Sequence, residues 1–435
     1  MLYDGFYGSE AGGWVYPRVS DETPPWAVVL GLLLATVVVG AAWASRRMVE
    51  RRPSLVIAFW LIAAFFVQMS VWSLSNVEFG TVVLSGTNGF YEVAAQHTVA
   101  EFLRDFQTIS LEASFHVRAN LAGKVLFFHL LRCITETPRE VAWLILCISN
   151  LGGVLAYAIA TDLFRDRLVG HTALLLYLFL PAKLFFFPLM NTVAPVFILL
   201  PLWMLLRFCA TQGVYWLIGI GVSLYWLVLF DPLPLVTGLV FLGILGRAIV
   251  RCDLDWVGTA QVFLLVPLSF CGAAWLVSWA YGYNVIEAAR FAIAHAKEFN
   301  ELNNRPYDLW LFQNLIDFLV NTGIATSSVF VWLAATAMRR SLVAWTRDGW
   351  RASLAEVARA DTCVVLSVLA VLLTLNGIGI NRGEAIRLWI FLGVFVTMPV
   401  AAYCAHRPRL FAVIIGTALL QTCTSMSTRA FVMPW

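Results

Sequence analysis

Residues 121–134 read Leu121-Ala122-Gly123-Lys124-Val125-Leu126-Phe127-Phe128-His129-Leu130-Leu131-Arg132-Cys133-Ile134. The stretch is apolar enough to look membrane-bound, yet short, and it carries Lys124, His129 and Arg132. Crossing the hydrocarbon takes roughly 20 apolar residues in a helix. We read 121–134 as an interfacial helix that dips into the bilayer surface and returns. That reading decides the topology, because the parity of every later crossing depends on it.

Working outward, the 435 residues are 60% hydrophobic and only 13% charged. Twelve apolar runs are expected to span: 26–44, 55–75, 140–161, 170–188, 193–210, 214–230, 233–250, 257–281, 312–337, 361–380, 386–405 and 409–425. Each is expected to be helical, since a lone strand in lipid leaves its backbone groups unsatisfied. The tight turns at Asn191 and Asp231 leave open that their flanking runs merge or re-enter. The fold class is therefore all-α: one polytopic membrane domain over 1–435, with about 12 transmembrane helices.

Arginine orients the runs. Arg46, Arg47, Arg51 and Arg52 fill the first short loop, Arg165 and Arg167 another, and Arg247 and Arg251 a third. Arg339, Arg340, Arg347, Arg351 and Arg359 mark the longest basic loop, and Arg407 and Arg409 the last. With 121–134 not crossing, every second loop is basic, as expected of cytoplasmic loops. Both termini, the loop 76–139 with its juxtamembrane helices, and the loop 282–311 then face outward. Residues 1–25 have no basic leader before an apolar core, unlike a cleavable signal. The eight cysteines are scattered singly, which reads as packing rather than a disulfide frame or metal knuckle. The net charge of +3 comes from the basic loops and gives no reason to expect nucleic acid.

Polar residues beside apolar runs are costly and are functional candidates. In Phe115-His116-Val117-Arg118-Ala119-Asn120-Leu121-Ala122-Gly123-Lys124, a helix over 116–124 would put His116, Asn120 and Lys124 on one face, with Arg118 nearby. The plain alternative is a solvated helix start with a snorkelling lysine. In Asn381-Arg382-Gly383-Glu384-Ala385-Ile386-Arg387-Leu388-Trp389, two arginines offer forks suited to phosphate, and Glu384 orients or neutralises one of them. The plain alternative is a salt-bridged turn. Tyr307 and Trp310 are expected to anchor at the interface, His295 to be structural, and Asn191 and Asp231 to cap helix ends. The chain has no P-loop, dinucleotide glycine motif, nucleophile elbow or helical His pair.

Four stretches carry a resemblance to the polytopic GT-C glycosyltransferases, which use polyprenyl- or dolichyl-phosphate sugars. They are Thr87-Asn88-Gly89-Phe90-Tyr91-Glu92-Val93-Ala94 in the first large loop, the His116–Lys124 segment, Leu180-Pro181 through Pro188-Leu189-Met190-Asn191, and Arg382 to Phe391. The layout resembles that superfamily more than any single motif does. It implies an inverting transfer, mannosyl or another hexosyl or pentosyl, at the outer face of a bacterial plasma membrane. The donor would be a polyprenyl-phosphate sugar and the acceptor a glycan, lipid or protein. An acidic residue of the first outer loop acts as base in that family. Here Thr87 and Asn88 stand where the family carries acids, and Asn191 where it often has Asp. Glu78 and Glu92 are therefore the candidate catalytic bases, with Lys124, Arg382 and Arg387 as phosphate partners. A divalent cation is optional in the superfamily and no residue pattern demands one. A lipid or glycan transporter or flippase, a non-catalytic GT-C-like protein, and an acyltransferase using His116 or His129 are the competing readings.

Overall fold

The computed structural model describes residues 7–85 and 89–430; Thr87 and Asn88 lie outside them. Apart from an N-terminal hairpin, Gly8–Ser9 paired antiparallel with Trp14–Val15, the described residues fold into helices joined by turns. Among the described residues nine stretches are long and apolar enough to cross a bilayer: Pro25–Arg51, Pro53–Trp72, Pro138–Phe164, Arg167–Phe186, Met190–Thr211, Leu233–Val250, Trp256–Tyr281, Ala360–Ile378 and Pro408–Thr428. The fold class is that of an all-α polytopic membrane protein, the small hairpin aside.

Local sequence sets the starts. Pro25, Pro53, Pro138 and Pro408 each open a helix at its first turn, where the missing N–H costs nothing. Lipid explains the outside. Trp256–Tyr281 buries only Gly258 among its 26 residues, leaving Phe263, Leu264, Trp275 and Trp279 exposed. A surface of that size and composition is untenable in water and natural in hydrocarbon.

The described residues hold fewer full-length spans than the twelve apolar runs. Val214–Phe230 and Ile390–Cys404 are helical and apolar but only 17 and 15 residues long. The run 312–337 is not one straight span. Tyr307–Asn321 and Ile324–Asp348 meet at 114°, and counting the bent pair as one span brings the total to ten. Gly323 sits in the break at φ 107°, a conformation L side chains rarely adopt.

The segment 121–134 holds a helix of ten residues, Gly123–Arg132, about 15 Å long and too short to cross. Around it the first large loop folds into short helices, Thr81–Leu84, Phe90–Gln96, Val99–Arg104, Phe106–Glu112 and Phe115–Arg118. The second large loop contributes Val285–Leu302, which packs on the first. Phe106 meets Tyr283 and Phe291 with ring centroids 5.4 and 6.0 Å apart.

The segments around residues 16–19 and 428–429 meet at the same end of the bundle as these loops. Val19 N–H donates to the Thr428 carbonyl at 2.9 Å, and the Arg429 guanidinium to the Tyr16 carbonyl at 2.7 Å. The turn of the N-terminal hairpin is pinned by Trp310, whose indole N–H donates to Gly12 O at 2.9 Å. Trp310 is 1% exposed, so it anchors this strap in the protein interior and not at the membrane interface as expected.

Candidate functional site

The sequence stretches 116–124 and 382–387 converge at this end. One glycine seats the first of them on its neighbouring helix. A Cβ on Gly123 would lie 2.3 Å from Leu229 C and from Phe230 N. With hydrogen in its place, helix Gly123–Arg132 rests directly on the end of Val214–Phe230. The next residue, Lys124, is thereby brought into electrostatic range of Asp231, the first residue past that helix.

Residues 116–124 do not form one helix. Phe115–Arg118 is a single turn, and the chain breaks before Gly123. The expected one-face row of His116, Asn120 and Lys124 does not form; Asn120 and Lys124 are linked by their side chains, and His116 joins them through its backbone carbonyl. Asn120 Nδ2 donates to His116 O at 2.7 Å, and Lys124 Nζ donates to Asn120 Oδ1 at 2.6 Å. Lys124 Nζ also lies over the Phe90 ring, 5.4 Å from its centroid. Arg118 turns away, its Nε donating to Ala113 O at 3.2 Å.

The 382–387 turn supplies the opposite wall. Glu384 is 3% exposed and ion-pairs on both sides: its Oε1 accepts from Arg305 Nη2 at 3.2 Å, and its Oε2 accepts from Arg387 Nη2. Arg387 is 7% exposed, and its Nε is buried without a hydrogen-bond partner among the described residues. Arg382 is spent on structure. Its Nη1 donates to Arg305 O at 3.1 Å while Arg305 Nη1 returns a bond to Arg382 O at 2.8 Å, and its guanidinium covers the Tyr307 ring. Gly383 at φ 85° and Glu384 at φ 60° make the turn that folds the carboxylate inward.

Lys124, Arg305 and Arg387 therefore face Glu384 and Asp231 across one buried cluster, with His116 within range of Arg387, Glu384 and Lys124. Burial pushes the His116 imidazole down to about 4, and Arg387 adds to the shift, so it is neutral at pH 7. Burial pulls the Lys124 ammonium down while Asp231 pulls it back. Burial raises the Asp231 carboxyl and Lys124 opposes it. For Glu384, burial alone would raise the carboxyl, but Arg387 and Arg305 outweigh it and hold the group below the usual range. A buried carboxylate between two arginines stays charged; a buried one facing a single lysine is poised nearer to neutrality.

The two carboxylates chosen from sequence stand outside this cluster. Glu78 and Glu92 are exposed, and neither forms a side-chain hydrogen bond or ion pair among the described residues. Phe90, Tyr91 and Val93 bury the opposite face of the Glu92 helix. Asp231 is not the N-cap of the turn that follows, which is Pro232; it ends Val214–Phe230, its carboxylate accepts from Leu233 N–H at 3.1 Å, and it also faces Lys124. Asn191 caps nothing: it sits within the turn Met190–Thr192, and Val193 precedes the next helix. His295 bonds Phe291 O at 2.9 Å, a structural contact.

Three buried neighbours were not singled out from sequence. Arg305 lay in a polar loop among many polar residues. Asp317 is 1% exposed and accepts from Gln313 at 2.7 Å and from Gly8 N–H at 3.4 Å. Its signal was legible: a lone carboxylate inside an apolar run. Tyr16 carried no local signal, yet its buried hydroxyl, without a hydrogen-bond partner among the described residues, lies within range of Arg387, Glu384 and Asp317. Among the described residues no three His, Cys, Asp or Glu side chains gather as a metal site. No family model and no curated protein matches the chain.

Proposed function

We propose that the chain is a membrane glycosyltransferase of the GT-C kind, moving a sugar from a polyprenyl-phosphate donor to an acceptor hydroxyl at the extracytoplasmic face. The observation that carries this reading is the cation-rich, largely buried cluster of Lys124, Arg305 and Arg387 at the bundle end that gathers both large loops. A phosphate bound there would be held by Arg387, whose buried Nε has no hydrogen-bond partner among the described residues, and by the Lys124 ammonium, charge-assisted donors suited to its oxygens. A base takes the acceptor proton, the acceptor oxygen attacks the anomeric carbon, and the bond to the phosphate oxygen breaks, releasing polyprenyl phosphate. Glu78 and Glu92 remain base candidates. Asp231 joins them, because burial raises its carboxyl above the usual carboxylate range, the direction that favours a general base.

The test is release of polyprenyl phosphate from a sugar-linked donor by purified protein in liposomes. Glu78→Gln, Glu92→Gln and Asp231→Asn are compared at equal folded amounts. Loss of turnover by 100-fold or roughly more identifies the base. Full activity in all three discards every base named here.

A second reading, a lipid-linked-glycan transporter, has one observation of its own. Lys183 is fully buried in the bundle, bonded to Asn150 Oδ1 at 2.6 Å, with Gln68 completing the set. Lys183→Met separates the two: a transporter loses donor translocation, whereas a transferase keeps its bond-breaking chemistry.

A further inference from the structure

At the other end of the bundle a hollow of about 400 Å³ is lined by Arg165, Arg247, Arg251, Arg359 and Asp361. The helices that carry these residues also frame the candidate site. Pro138–Phe164 ends at Arg165, the stretch that follows Asp231 ends at Val250, and Ala360–Ile378 runs from the hollow back toward Arg382. The 19 residues of that last helix separate the two places by about 28 Å.

The charges in the hollow are unbalanced. Asp361 is already committed, accepting from Arg340 at 3.0 Å and from Arg359 at 3.3 Å. Arg359 also reaches Glu356 at 3.6 Å, and Arg251 reaches Asp253 at 3.8 Å on the rim. Among the described residues, Arg165 and Arg247 have no carboxylate within ion-pair distance. Arg247 is partly buried, its Nε has no hydrogen-bond partner among the described residues, and Arg251, Asp253 and Arg165 lie within its electrostatic range, the one carboxylate facing two other arginines. Cations at helix C-termini are ordinary, and so are arginines in alternate loops. Neither explains why arginines from three separate loops turn into one concave space. Like charges in such a space repel unless an anion sits between them.

We propose that this hollow binds a phosphate-bearing anion, held by the guanidinium forks of Arg165 and Arg247 with Arg251 and Arg359 at the edge. The chemistry is shared by an anionic phospholipid headgroup and by soluble pyrophosphate, and the experiment separates them.

Full-length protein is placed in phosphatidylcholine nanodiscs. One arm titrates inorganic pyrophosphate and follows thermal unfolding. The other dopes the discs with phosphatidic acid and counts lipids retained in native mass spectrometry. Arg165→Gln alone, Arg165→Gln with Arg247→Gln, and a control pair Arg51→Gln with Arg52→Gln are compared. Arg165 is exposed, so its single variant removes a donor without emptying the core. The control pair lies at the same end, where Arg167 donates to Glu50 O at 2.6 Å. We expect one anion bound to wild type and to the control. Affinity falls roughly tenfold for the single variant and further for the pair. Binding in the pyrophosphate arm identifies a soluble ligand; retention of phosphatidic acid alone identifies a lipid. No binding in either arm, or equal binding by the double variant, overturns the proposal.

Discussion

Arg305 and Glu384, 79 residues apart, ion-pair at 3.2 Å with side chains 3% and 4% exposed. This pair ties the second large loop to the turn between the last long spans, and Arg387 completes it from the other side of the carboxylate. Glu384 is thus the hinge of the cluster. A buried ion pair contributes little over a well-packed apolar substitute, but removing one partner strands a buried charge. Glu384→Gln strands two guanidiniums and should lower unfolding free energy by about 3–5 kcal/mol. Thermal unfolding in detergent measures it; a shift no larger than that of a surface Glu92→Gln would refute the structural role.

The contact at Gly123 makes a sharper prediction. Alanine there would drive its Cβ into the backbone of Leu229 and Phe230 at 2.3 Å, where no side chain can yield. Overpacking of this kind costs about 1–3 kcal/mol and pushes Lys124 away from Asp231. We expect Gly123→Ala to abolish donor turnover while the protein stays folded. Gly40→Ala, with open space around its Cβ, should be neutral or slightly stabilising. Wild-type turnover in Gly123→Ala would remove the Lys124–Asp231 juxtaposition from the mechanism.

His116 gives the fold a pH signature. Its value falls from near 6.5 unfolded to about 4 folded, so the unfolded chain binds the extra proton between those limits. The stabilisation is complete above pH 6.5 and is lost as the pH falls toward 4. It amounts to about 3 kcal/mol at most. His116→Gln should flatten the stability profile over that window alone. An unchanged slope would show that His116 does not titrate as its surroundings dictate.

The N-terminal strap rests on Trp310. Trp310→Phe keeps the ring in the interior but leaves the Gly12 carbonyl unpaired. A lost bond to a buried group costs about 1–3 kcal/mol, and hydrogen exchange over residues 7–20 should rise accordingly. If exchange there is unaltered, other contacts hold the strap.

Much of the membrane architecture was legible because apolar length is a local property. The runs 26–44, 140–161 and 409–425 are each helical, and proline marks where their helices begin. The break at Gly323 was not legible, since one glycine among 29 looks like any other until its φ is known. The same division holds at the candidate site. Lys124, Glu384 and Arg387 stood out because charge beside an apolar run is conspicuous. That Asp231 faces Lys124 follows from the bare backbone at Gly123, which is a tertiary contact. Tyr16 reaches the cluster through the hairpin pinned by Trp310, and no local pattern announces that.

The most direct measurement is photo-crosslinking with a polyprenyl phosphate carrying a diazirine next to its phosphate, mapped by peptide mass spectrometry on the full-length protein. The account predicts adducts within 116–124 and 382–389, weakened roughly tenfold or more in Lys124→Gln with Arg387→Gln. Adducts confined to the arginine-lined hollow at Arg165 and Arg247, or an unchanged pattern in the double variant, would contradict it.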